Sequence, residues 1–142
     1  MAASLAVVEL RPDAPPARPP ALPLWWTEGL PEYFSGGQET RDEMVLRALS
    51  LSGRLPTIEQ LNATYSSIVY PVGGELHRFL GETYGDWRVN MLYSSLNRFR
   101  SFDEALAATY GRTPAQLTSE WQYALPQGVF PGVLGRKPLG VA

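Results

Sequence analysis

Apolar side chains recur at intervals of three or four residues through most of this chain, and polar residues occupy the positions between them. Such spacing places the apolar side chains on one face of an α-helix, whereas a half-buried strand requires strict alternation. Thr40 with Glu43 and Ser101 with Glu104 have the spacing of capping boxes, and Gly53 follows an apolar run as a C-terminal helix glycine does. The pattern therefore predicts a chain of consecutive helices.

Most of the predicted helices have a recognisable apolar face. The first runs from Thr40 to Gly53, with Met44, Val45, Ala48, Leu49 and Leu51 on that face, and a short turn follows at 57–61. The next two are a helix over about 70–84, with Val72, Leu76, Phe79 and Leu80, and a helix capped by Asp86, with Val89, Leu92, Leu96 and Phe99. The last two are a helix through Leu106 and Tyr110 to Gly111 and a helix that begins at Thr113 and Pro114, carries Leu117, Trp121 and Leu125, and ends at Pro126. No strand or hairpin pattern competes with them. The predicted class is all-α, a compact array of about five to six helices.

The two ends of the chain differ in composition from its middle. Six prolines fall between Pro12 and Pro23, which favours an extended polyproline II conformation. We predict a Pro-rich arm or linker over residues 1–22, a helical subdomain over 23–126 and an irregular, Gly/Pro-rich tail over 127–142. The arm also matches P-x-x-P, so a ligand for a proline-binding module is an alternative. The linker is favoured because such matches arise easily in Pro-rich sequence.

Composition excludes several classes of protein. The chain has 142 residues, which suits one domain, and its net charge is -2 with basic residues scattered singly, so nucleic acid and anionic membrane surfaces are not expected partners. The absence of cysteine excludes a disulfide framework. No apolar run is long enough for a membrane span, and the first residues lack the features of a signal peptide. The compartment stays open, with the cytoplasm as the default.

The segment WWTEGLPEYF, at residues 25–34, holds the best candidates for chemistry. Glu28 and Glu32 are four residues apart, so both carboxylates would project from one face of a continuous helix. From that spacing alone, two solvated glutamates on a helix surface are the ordinary interpretation. The aromatic residues around them and Gly29 favour a different interpretation for Glu28, because they complete a recognisable motif.

This segment resembles the W-L-x-E-G-L-A-E-Y segment of gluzincin zinc metallopeptidases, the peptidase MA-like group. Residues 70–85 are similar to the family's tyrosine-led helix and residues 102–121 to its closing helices, so the resemblance covers most of the chain. It implies that Glu28 is the third protein ligand of a catalytic zinc and that Glu32 lies behind the ligands, where it could orient one of them. Pro31 stands where the family has alanine, which predicts a kink or a later helix start.

The other half of the family's zinc site is missing from this sequence. In the family, two histidines of an upstream H-E-x-x-H helix complete the ligand set, and the glutamate of that helix is the general base for a metal-activated water. This chain contains one histidine, His77, and no cysteine. The resemblance therefore implies the C-terminal subdomain of a peptidase for peptide or protein substrates, with the N-terminal subdomain as its missing partner. Alone, the chain is expected to be inactive and to bind zinc weakly or not at all.

Tyr70, His77 and the tryptophans also invite a functional interpretation. Tyr70 is the catalytic candidate, because a phenol lining the substrate groove could donate to an oxyanion; a packed ring at a helix start is the plainer alternative. His77 lacks a nucleophile or a second histidine, so we expect it at the edge of an apolar face. The four tryptophans are expected to pack in the core or at helix junctions.

Two functions from different classes remain. The first is the C-terminal subdomain of a zinc peptidase, in which Glu28 supplies one ligand to a site that is completed elsewhere. The second is a non-catalytic helical scaffold derived from that fold, in which a groove near Glu28 and Tyr70 holds a peptide or a partner protein. An H-E-x-x-H helix encoded in the same protein would favour the first function.

Overall fold

A computed structural model describes residues 18–35 and 40–128, and within these ranges every regular element is helical. The predicted all-α class is confirmed, with seven α-helices where about five to six were expected. They are α1 Leu24–Phe34, α2 Thr40–Leu51, α3 Ile58–Asn62, α4 Val69–Tyr84, α5 Trp87–Ser95, which runs into a 3₁₀ helix at Leu96–Arg98, α6 Phe102–Tyr110 and α7 Pro114–Gly128. Most of the predicted arm and tail, residues 1–17 and 129–142, lies outside the described residues. No helix in the described ranges has both the length and the apolar character needed to cross a membrane.

Side-chain caps define the starts of α6 and α7. Thr113 Oγ1 accepts a hydrogen bond from the Gln116 N–H at 3.1 Å, and the Gln116 side chain accepts one from the Thr113 N–H at 2.9 Å, so this capping box is complete. Ser101 Oγ accepts from the Glu104 N–H at 3.1 Å, while the Glu104 carboxylate accepts from the Arg100 N–H. These bonds satisfy backbone donors that a helix start leaves without partners.

Asp86 precedes α5 but does not cap it through its side chain, contrary to the prediction. Its carboxylate accepts a hydrogen bond from the Tyr33 hydroxyl at 2.9 Å, which links the end of α1 to the junction between α4 and α5. The competing donor belongs to a helix far away in the sequence. A local capping pattern therefore could not predict this outcome.

The buried face of α2 differs from the predicted one. Leu46 is fully buried, although it was not assigned to the apolar face, whereas Met44 and Leu51 are each 65% exposed. The helix carries two candidate stripes, and packing against α4 selects the one that contains Leu46 and the half-buried Leu49. Helical spacing identifies an amphipathic helix, but the partner helix decides which stripe is covered.

The last helix continues past the proline that was expected to end it. Backbone helix extends through residue 126 to Gly128, so the predicted stop at Pro126 is wrong by two residues. A proline removes one intrahelical hydrogen bond, and near the end of a helix few bonds depend on the residues that follow. The predicted apolar face is confirmed, because Leu117, Trp121 and Leu125 are all buried.

All seven α-helices contribute to one hydrophobic core. Its largest fully buried side chains are Trp25, Trp26 and Trp121, which confirms the packing role expected of these three tryptophans. The same expectation is wrong for Trp87, which is 58% exposed, with the Arg88 guanidinium 4.7 Å from the centre of its ring. Two of the three core tryptophans lie on α1, so the helix that carries Glu28 is anchored deep in the fold.

Candidate functional site

The candidate glutamates lie one turn apart on α1, and both side chains are half-buried. The helix runs from Leu24 through Pro31 to Phe34, so the later start that this proline could have imposed is not observed. Proline removes one hydrogen bond from the helix, and packing of the first two turns against α4 outweighs that loss. Because the helix is continuous, Glu28 and Glu32 share the face that their spacing predicts.

The backbones of α1 and α4 touch at a pair of glycines. A Cβ atom added at Gly29 would lie 2.7 Å from the Gly73 Cα and closer still to its carbonyl carbon. A Cβ atom added at Gly73 would lie 3.1 Å from the Gly29 Cα and closer to the Trp25 carbonyl oxygen. Only glycine allows two helices to approach this closely. The contact fixes the position of α1 at the residue that follows Glu28.

His77 fills the space between the two tryptophans of α1. Its ring centre lies 5.4 Å from that of Trp25 and 4.4 Å from that of Trp26, and only 2% of the residue is exposed. The imidazole Nε2 lies 2.9 Å from the Trp26 carbonyl oxygen, so it donates a hydrogen bond there in the Nε2–H tautomer. The expectation that this histidine sits at the edge of an apolar face is therefore wrong. Its burial is explained by the backbone acceptor and the two indole rings, none of which is close to it in sequence.

Burial strongly disfavours a charge on this imidazole. Desolvation lowers the pKa of His77 from its ordinary 6.5 to about 4, while the hydrogen bond to the Trp26 carbonyl acts in the opposite direction. The histidine is consequently neutral at pH 7. With its Nε2 bonded to the backbone and its ring packed between two indoles, His77 has a structural role in this fold.

The depressed pKa predicts an acid-sensitive contribution to stability. Above about pH 6.5 both the folded and the unfolded chain hold a neutral His77, so its contribution is fully present; between about pH 6.5 and 4 only the unfolded chain gains the proton, and stability falls. Denaturant unfolding across this range should show a decline that is absent from His77→Gln. Glu75, whose pKa is raised by burial, acts in the opposite direction in both proteins, so the difference between them isolates the histidine. Parallel curves would contradict the prediction.

The indole N–H groups of α1 connect the helix to other parts of the fold. Trp25 Nε1 donates to Asn62 Oδ1 at 2.8 Å, and the amide of Asn62 donates in turn to Asp103 Oδ1 at 2.8 Å. Trp26 Nε1 donates to the Tyr93 hydroxyl at 3.2 Å. The start of α1 is therefore bonded directly to α3 and α5, linked to α6 through Asn62, and packed on α4.

The two candidate carboxylates differ in their partners. Glu28 makes no hydrogen bond or ion pair within residues 18–35 and 40–128, although its side chain is half-buried. Glu32 does interact with another group. The Glu28 oxygens are not among the buried polar atoms that lack a hydrogen-bond partner, so this carboxylate keeps contact with water. The helix thus holds Glu28 in place although its carboxylate has no protein partner in the described ranges.

Tyr70 lies in the first turn of α4, and 43% of it is exposed. It is three residues from Gly73, where α4 touches α1, and Glu28 is next to the other glycine of that contact. The fold therefore brings the helix segments that carry Glu28 and Tyr70 together at one crossing point. The exposed phenol of Tyr70 is compatible with both the catalytic role and the plainer surface role, so both stay predictions.

A buried ion pair on α4 was not anticipated from the sequence. Glu75 is fully buried and bonds in two places to Arg78, with Nε to Oε1 at 2.9 Å, while Arg78 also reaches Glu82 at 2.6 Å. Burial raises the pKa of the Glu75 carboxyl, and the bonds to Arg78 oppose that shift. The signal was present in the spacing of i to i+3 and i to i+4. Spacing alone does not show that the first carboxylate lies inside the protein.

The side chains that the structure describes do not form a complete zinc site. Within the described ranges, no three His, Asp or Glu side chains are grouped so that they could hold a metal ion. His77, the one histidine, is buried and bonded to the Trp26 carbonyl. Glu28 would supply one ligand, and a catalytic zinc normally needs three from the protein.

No protein-family model matches this chain, and comparisons with curated proteins and with solved structures give no significant match.

Proposed function

We propose that this chain is the C-terminal helical subdomain of a gluzincin-type zinc peptidase and that it supplies Glu28 as the third protein ligand. The observation that carries the proposal is that the Glu28 carboxylate, on a firmly held helix, has no partner within residues 18–35 and 40–128. A carboxylate with a structural role in a fold is usually hydrogen-bonded or ion-paired. A carboxylate that a rigid helix presents without such a partner suits a ligand whose metal is held jointly with another subdomain.

In this proposal the two subdomains divide the work of hydrolysing a peptide bond. The H-E-x-x-H helix would bring two histidine ligands and a general base, and this chain would bring Glu28. Glu32, one turn further along α1, would orient Glu28 or a neighbouring ligand through its own contacts. Tyr70 would present its exposed hydroxyl to the substrate, where it could donate to a developing oxyanion.

A non-catalytic scaffold is the second candidate. Exposed aromatic side chains at the start of α4 favour it, because Tyr70 is 43% exposed and Tyr65, in the preceding loop, is 79% exposed. Tyrosine supplies a large contact area with a polar end, which suits a surface that holds a peptide or a partner protein. In that case the surface near Glu28 and Tyr70 would bind without hydrolysis.

The proposal predicts that stability and activity respond in opposite ways to Glu28→Gln. In this chain the change should leave the free energy of unfolding equal or slightly higher, within about 0.5 kcal/mol, because the carboxylate has no partner to lose. In a longer protein that carries the chain behind an H-E-x-x-H helix, it should lower peptidase activity more than about 100-fold, since even outer partners of a metal ligand are worth about 10-fold to 100-fold. Denaturant melts and a peptidase assay measure the two effects.

Glu59→Gln is the matched control, because it removes the same charge from an exposed helical position. It should leave peptidase activity unchanged and lower stability by less than about 1 kcal/mol, because a negative charge in the first turn of α3 is mildly favourable. Metal analysis after dialysis against trace zinc completes the test, with substoichiometric zinc expected in this chain and one zinc in the longer protein. An active Glu28→Gln protein would remove Glu28 from the ligand role. A longer protein that binds a peptide, but binds no zinc and forms no hydrolysis product, would favour the scaffold.

A further inference from the structure

His77 contacts the backbone of α1 at a point where that helix is weakened. The residue after Leu30 is Pro31, which has no N–H, so the intrahelical bond to the Thr27 carbonyl cannot form. The Trp26 carbonyl, one residue before that gap, accepts the hydrogen bond from His77 Nε2 at 2.9 Å. A carbonyl oxygen has two lone pairs, so it accepts this bond in addition to the one within the helix. The imidazole therefore supports α1 from outside, next to the missing bond.

Glu28 lies between two points at which α4 contacts the backbone of α1. Two residues before it, the Trp26 carbonyl is bonded to His77, and directly after it Gly29 touches Gly73. The buried tryptophans already anchor α1, and a backbone contact on either side of Glu28 further restricts the direction of its Cα–Cβ bond. The glycine contact sets the distance between the helices, and the histidine bond opposes their rotation.

We propose that His77 is a positioning residue that holds the turn of α1 in register and thereby fixes the direction of the Glu28 carboxylate. This role rests on the proposed function of Glu28 as a metal ligand. Metal ligands must be held in a narrow range of directions, because a site that is loose by about 1 Å loses much of its activity. A hydrogen bond to the backbone meets that need without placing a second group beside the ligand.

Spin labels can measure the proposed effect directly in this chain. The native sequence has no cysteine, so nitroxide labels react only where cysteine is introduced. One label is placed by Glu28→Cys on α1 and the other by Ser119→Cys on an exposed position of α7. Pulsed electron paramagnetic resonance then gives the distribution of distances between them. With His77 present, we expect one narrow distribution.

Two substitutions separate the hydrogen bond from the packing of the ring. His77→Phe keeps an aromatic ring but removes the donor, and the distribution should widen and shift. His77→Gln keeps a donor where Nε2 stood, and the native distribution should return. The control pair, Ser94→Cys with Ser119→Cys, lies on α5 and α7 and should give the same distribution in all three backgrounds. Packing alone predicts the opposite order, because glutamine fills the ring's place less well than phenylalanine.

Several outcomes would overturn the proposal. An unchanged distribution in a folded His77→Phe chain would show that the bond does not set the direction of α1. His77→Met is the second donor-free variant if the phenyl ring prevents folding. Unfolding of both, while His77→Gln folds, would show that the histidine holds the whole fold rather than one direction. The measurement needs no metal, so a positive result combined with an active Glu28→Gln peptidase would refute the ligand role and leave the positioning of α1 supported.

Discussion

Replacing Trp121 with alanine should destabilise this protein by about 3 to 5 kcal/mol, the usual cost of truncating a fully buried large aromatic side chain. The residue is 0% exposed on α7, which packs against α3 and α6. Truncation would remove its apolar contacts and leave a cavity that the surrounding helices fill only in part. Its Nε1 has no hydrogen-bond partner in the described part of the chain, so the change gives up packing without breaking a bond.

Trp87→Ala is the matched control for this prediction. The same type of side chain is removed from α5, where Trp87 is 58% exposed and the centre of its ring lies 4.7 Å from the Arg88 guanidinium. We expect a loss of less than about 1 kcal/mol. Chemical denaturation of the three proteins measures both effects. A Trp121→Ala protein within about 1 kcal/mol of the native chain would mean that the core tolerates the cavity and that α7 is not firmly packed.

The second large effect is expected at the crossing of α1 and α4. Gly29→Ala introduces a methyl group 2.7 Å from the Gly73 Cα, and the obstacle is backbone rather than a movable side chain. The two helices must separate, and overpacking of this kind costs about 3 kcal/mol. Alanine recovers about 1 kcal/mol through its higher helix propensity. We therefore expect a net destabilisation of about 2 kcal/mol, together with a displaced Glu28.

Gly81→Ala provides the comparison for that change on α4. It gains the same helix propensity, but the groups near its Cβ position are the ends of two side chains, the Tyr33 hydroxyl at 2.7 Å and the Asp86 carboxylate. Those ends can move, so we expect a change of less than about 1 kcal/mol. Gly29→Ala should consequently be the less stable of the two proteins in denaturant melts. Equal stabilities would show that α1 and α4 can separate at little cost.

Helix limits were largely predictable from the sequence because the signals that set them act within one turn. Thr113 and Gln116 form the expected capping box, and Gly111 ends α6 with a φ of 70°, a conformation that glycine adopts without strain. One exception arose where a local signal competed with a distant partner. Asp86 was expected to cap α5, and it bonds instead to Tyr33, which lies 53 residues earlier.

The choice of buried faces depended on tertiary structure. The spacing of α2 is compatible with two apolar stripes, and contact with α4 buried the one containing Leu46 while leaving Met44 exposed. The same principle placed Glu75 inside the protein, where Arg78 offsets part of its desolvation. Periodicity describes one helix at a time, whereas burial depends on which surface a second helix covers.

The candidate site shows the same division. The sequence by itself determined that Glu28 and Glu32 would share a face of any continuous helix and that one histidine cannot complete a two-histidine zinc site. Only the tertiary structure decided that Glu28 finds no partner among the described residues, that Gly29 meets Gly73, and that His77 bonds to the Trp26 carbonyl across 51 residues of chain. Hydrogen bonds and close backbone contacts form between residues that meet in space. A pattern along the chain reports only on residues that are close in sequence.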